Sequence, residues 1–135
     1  MKQRLLLAVV AGFGLVLSQG AALAHHSFSA EFDRDLPVEV TGTVTKVEWL
    51  NPHARFYVNV EDEKGELVNW DFELASPNSL MRRGWTRNSL KVGDTVTVTG
   101  YRARNHPAVG NASTVVLADG HKVFAGSSAD NEPSQ

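Results

Sequence analysis

Hydrophobic positions along this chain recur every second residue far more often than every third or fourth, the spacing of strands rather than helices. Val38, Val40, Gly42 and Val44 alternate with Thr and Glu, and the pattern resumes one residue late at Val47 and Trp49. The slip predicts a long first strand over 38–49 that bends at a bulge between Val44 and Val47. Asn51-Pro52-His53 reads as a turn. Phe56, Val58 and Val60 then alternate with Arg55, Tyr57 and Asn59 in a second strand. Glu61-Asp62-Glu63-Lys64-Gly65 is a polar connection to a third, Leu67–Leu74, with Val68, Trp70 and Phe72 on one side.

Ser76-Pro77 is a helix start, a capping hydroxyl followed by proline at the first helical position. Gly84 is placed to end that short helix, from which Leu80, Met81 and Trp85 are expected to plug a barrel. A fourth strand is predicted over Thr95–Arg102 and a fifth over Ser113–Leu117, with the loop Ala103–Gly110 between them. Lys122–Phe124 closes a short hairpin arm, and the small, polar residues 125–135 are expected to be a disordered tail.

Five strands with a short helix between the third and fourth predict an all-β, five-stranded OB-like barrel over residues 38–124. A β-sandwich would need about seven strands. Trp49, Trp70 and Trp85 sit in or beside apolar patterns and are expected in the core. Residues 25–37 read as an irregular amino-terminal arm.

Ahead of that arm the chemistry changes. Lys2 and Arg4 precede the apolar run Leu5–Leu17, and Ala22-Leu23-Ala24 follows. A positive start, an apolar stretch and small residues at the cleavage positions predict a signal peptide over 1–24, cut after Ala24. The run is too short for a membrane span of roughly 20 residues, so a protein of the periplasm or the outside is expected, without stable membrane insertion. Some 110 residues remain, enough for one domain. No cysteine is present, which excludes disulfides and thiolate metal sites.

Removing Lys2 and Arg4 moves the formal charge from −2 to about −4. A nucleic-acid binder is thereby disfavoured. Charge is also uneven. Acids dominate from Glu31 to Glu73, whereas Arg82, Arg83, Arg87, Lys91, Arg102 and Arg104 face only Asp94 in the next stretch. The plainest account pairs the two halves across one barrel, and the other is an anion-attracting patch.

Several short stretches, taken together, carry a resemblance. They are His25-His26-Ser27-Phe28 with Glu31-Phe32-Asp33, Gly42-Thr43-Val44 through Glu48-Trp49, Asn51-Pro52-His53, Ser76-Pro77-Asn78 and Arg83-Gly84-Trp85. With them the chain resembles a family of small exported bacterial proteins grouped as a domain of unknown function. The resemblance implies a single exported domain and brings no reaction with it.

Cleavage after Ala24 would expose an α-amino group on His25, whose amine and imidazole can grip one ion together. The pair resembles the histidine brace of secreted copper proteins. Such an amine has a pKa of about 7.7–8.0, so a metal can displace its proton near neutrality. Cu(II) binds nitrogen and oxygen donors most tightly among the first-row divalent ions. Further ligands are expected from the barrel rim, His53 in the loop between strands one and two and His106 between strands four and five. The expectation is a copper site on His25, His26 and His53, with His106 a fourth candidate. His121, at a hairpin tip, is expected to be merely exposed.

No nucleophile motif or phosphate-binding glycine pattern occurs, so no enzyme is expected. The alternative is a binding module of the OB type. Arg55, Tyr57, Arg82, Arg83 and Arg102 would then take a partner protein, a glycan or an anionic ligand on the barrel face.

Overall fold

The computed structural model describes residues 28–126; the leader, His25 and His26, and residues 127–135 lie outside them. Residues 28–31 are helical and run straight into β1, Phe32–Glu48. β2 (Arg55–Glu61) and β3 (Leu67–Glu73) form a hairpin, followed by α1 (Pro77–Arg82). β4 (Thr95–Ala103), β5 (Val109–Leu117) and the short β6 (Lys122–Phe124) complete the order.

The sheet runs β3-β2-β1-β4-β5-β6, and β3 returns to pair in parallel with β5 through Asp71–Val109, Phe72–Gly110 and Glu73–Asn111. Five strands thus close into a ring with one helix between β3 and β4, the connectivity of an OB barrel. Closure hides edges that a disulfide-free domain would otherwise leave open.

Alternation decides the inside. Phe56, Val58, Phe72, Leu74, Val96, Val98 and Val115 are almost wholly buried. The rings of Phe56 and Phe72 lie 5.5 Å apart, and Trp70 stacks on Phe72 at 5.4 Å. Each such side chain contributes about 1.5–3 kcal/mol on leaving water. The predicted bulge is present: Val44 faces Val58 while Lys46 faces Tyr57, leaving Thr45 as the extra residue. Gly42 and Gly100 stand where strands approach most closely, and a Cβ there would strike the carbonyl oxygens of Asn59 and Asn111.

α1 matches its reading closely. The Ser76 hydroxyl accepts from the Ser79 amide at 3.3 Å, Pro77 opens the first turn, and Gly84 takes φ +90° just beyond. Leu80 and Trp85 are buried plugs, whereas Met81 is 52% exposed and plugs nothing, contrary to expectation. Trp49 and Trp70 pack half-buried against the core.

Two strands are longer than the pattern suggests. β1 begins at Phe32, not Val38, because Phe32 is buried opposite Ala103 and Arg104 holds the preceding turn. Much of the expected irregular arm is therefore strand. β5 begins at Val109, not Ser113, because Gly110 and Asn111 are needed to meet β3. Of the expected tail, Ala125 and Gly126 are described and residues 127–135 lie outside the described residues. Ala125 is buried, its amide bonded to Ser113 O at 3.0 Å and its oxygen accepting from the Ala75 amide at 3.3 Å. Among the described residues, no helix is long and apolar enough to cross a membrane.

Candidate functional site

The turn between β1 and β2 is fastened to the end of β3. The Ala54 amide donates to Ala75 O at 3.1 Å and the Leu74 amide to Ala54 O at 2.8 Å, with Ala54 itself fully buried. These bonds continue the β2–β3 ladder past its last strand residues and lay His53 over the end of β3. Its Nδ1 lies 3.1 Å from Leu74 O and 3.3 Å from Glu73 Oε1.

A carbonyl oxygen can only accept, so Nδ1 carries the proton and donates. In the neutral ring the lone pair then sits on Nε2. The side chain is 42% exposed, and its contacts with Leu74 and Glu73 both run through Nδ1. An imidazole oriented through one nitrogen by a carboxylate and a carbonyl, with the other left open, has the build of a metal ligand with its supporting partners.

Glu73 is itself held. Arg55 Nη1 donates to Oε2 at 3.2 Å, and the Asn111 amide reaches Oε1 at 3.4 Å. Arg55 Nε in turn donates to Asp71 at 2.9 Å. Burial pushes the Glu73 carboxyl above its ordinary range, His53 and Arg55 pull against that, and Glu31 adds to the rise. Asn111 is buried, and its Oδ1 has no hydrogen-bond partner. A buried orphan oxygen costs about 1–3 kcal/mol, a cost tolerated where the amide braces Glu73.

The amino-terminal segment is latched to the same end. Phe28 packs on Phe32 at 5.5 Å and edge-on against Tyr101 at 6.1 Å. Arg104 donates from its amide to Glu31 O at 2.9 Å and from Nε to Ser29 O at 3.0 Å, and pairs with Asp33 at 2.7 Å. Glu31 is thereby near enough to raise Glu73.

Residues 13–112 match the profile of a family of unknown function, DUF6152, across most of the chain. The chain belongs to that family. The match to DUF6152 takes in the arm, the 51–53 turn, α1 and β5 as far as Ala112. No curated protein matches the sequence.

The other candidates of this DUF6152 chain are dispersed. His25 and His26 fall outside the described residues, His106 is exposed in the β4–β5 loop, and His121 is exposed at its hairpin. Among the described residues, no three His, Asp or Glu side chains form a ready metal cage. Arg55 and Tyr57 share a sheet face, the Tyr57 hydroxyl donating to Glu48 at 3.1 Å. Arg82 and Arg83 stand at the end of α1, and Arg102 lies in β4. Sequence reasoning missed Glu73, Leu74 O and Asn111. The signal for Glu73 was the hairpin register, which sets Arg55 opposite it.

Proposed function

We propose that this is an exported metal-binding protein in which His53 and the new amino terminus at His25-His26 hold one ion, with Cu(II) preferred. The observation that carries the reading is the His53 ring, its Nδ1 committed to Leu74 O and Glu73 and its Nε2 left open. Two residues separate His25 from Phe28, and the three Cα–Cα steps between them reach at most about 11 Å. Phe32 pairs with Ala103, Arg102 with Gly110 and Asn111 with Glu73, so the start of β1 and the end of β3 that carries His53 lie at one end of the barrel. Amine and imidazole donors without thiolates favour Cu(II) over softer states of the metal. Export through the leader supplies the free amine, and the periplasm is the compartment where a two-membrane cell would keep it.

The barrel-face reading, a glycan, peptide or anionic ligand on Arg55 and Tyr57, has less support. The Arg55 guanidinium is already held between Asp71 and Glu73.

Mass spectrometry of protein recovered after secretion should give a chain beginning at His25. That material should bind one equivalent of Cu(II) with sub-micromolar affinity in a calorimetric titration. A different start, or binding of no better than millimolar strength, would refute the proposal.

A further inference from the structure

Between Glu73 and Asp94 the chain holds no acidic residue, yet it carries Arg82, Arg83, Arg87 and Lys91. The structure turns this run into a surface. Leu80, Trp85 and Leu90 are buried and pin the segment to the barrel at three points. The bases between and beyond them are all exposed. Two apolar side chains stand among them, Met81 at 52% and Val92 at 69% exposure. Arg83 lies against Gly126, while Arg82, Arg87 and Lys91 have no carboxylate within ion-pair distance among the described residues. Among the described residues no carboxylate neutralises these three bases, whereas Arg104 of the same basic stretch does pair with Asp33 in the acidic half.

We infer that this α1 cap, from Met81 to Val92, docks reversibly on an anionic lipid bilayer. The inference stands apart from the metal site. Arg82, Arg87 and Lys91, three exposed cations without a carboxylate partner among the described residues, are attracted to an anionic plane, each multiplying the affinity by a factor of about five. Long Arg and Lys stems lie along the interface while their heads reach phosphates, and Met81 and Val92 can enter the acyl boundary between them. An exposed thioether and isopropyl group add nothing to a purely polyanionic partner. Because the rest of the domain is acidic, one orientation alone is attracted, and the barrel would stand with this cap toward the bilayer.

The test uses residues 25–135, free of the apolar leader, sedimented with phosphatidylcholine vesicles with or without phosphatidylglycerol. The protein should pellet only with the anionic vesicles and be released by high salt. Replacing Arg82, Arg87 and Lys91 together by Gln should lower partitioning about a hundredfold. Met81→Asn with Val92→Asn should lower it several-fold and leave the salt dependence intact. All five side chains are exposed, and unchanged circular dichroism would show that the variants fold. Equal binding to both vesicle types, no binding to anionic vesicles at low salt, or full binding by the triple variant would each overturn the inference.

Discussion

His53 Nδ1 lies 3.1 Å from the carbonyl oxygen of Leu74, a contact that fixes which ring nitrogen holds the proton. The consequence is visible before any metal is added. Nitrogen-15 NMR of the metal-free protein above neutrality should report His53 as the Nδ1–H tautomer with an unprotonated Nε2. A rapidly averaging mixture of tautomers, as in an unstructured peptide, would mean that the Leu74 and Glu73 contacts do not orient the ring.

Glu73 should make stability fall with rising pH. Its carboxyl is held above the ordinary value of 4.5, chiefly by burial. Between 4.5 and its raised native value the folded state binds more protons than the unfolded one, so this group's contribution is full below 4.5 and is lost as pH rises through the native value. Urea unfolding of the wild type and Glu73→Gln over that window should show the wild type losing ground as pH increases. The opposite slope would mean that Arg55 and His53 outweigh burial.

Phe28 holds the amino-terminal segment, so Phe28→Ala should release it while sparing the barrel. A destabilisation of about 3 kcal/mol, the low end for a buried phenylalanine, is expected locally. Hydrogen exchange at the Arg104 amide, which donates to Glu31 O, should accelerate strongly. Exchange in β2 and β3 should stay unchanged, and faster exchange there would make the latch part of the global fold.

Gly100→Ala should cost about 3 kcal/mol, because the new methyl meets the Asn111 carbonyl oxygen in the backbone of the neighbouring strand. Thermal unfolding would register it. The same change at Gly120, where no atom lies within 4 Å, costs only the strain of φ +84°.

Much of the barrel was legible because alternation, the proline-opened helix and the bulge after Val44 are local signals. What escaped depended on distant partners. Phe32 reads as loop until Ala103 and Arg104 stand beside it, and Gly110-Asn111 carry no strand signal until β3 arrives. The site was half legible. His53 stood out by residue type and turn position, but its partners Glu73 and Leu74 O come from another strand, and only register reveals them. Met81 misled because a short helix gives too few turns to define its buried face.

The central claim is that the amine at His25 and the imidazole of His53 hold one ion together. A double-mutant cycle on Cu(II) affinity tests it most directly, crossing the native His25 start with one extra residue ahead of it, and His53 with His53→Ala. The account predicts that His53→Ala costs at least about tenfold in the native-start protein and almost nothing once the amine is blocked, a coupling of about 1.4 kcal/mol or more. An equal cost in both backgrounds would contradict it, because the two groups would then bind metal independently or not at all.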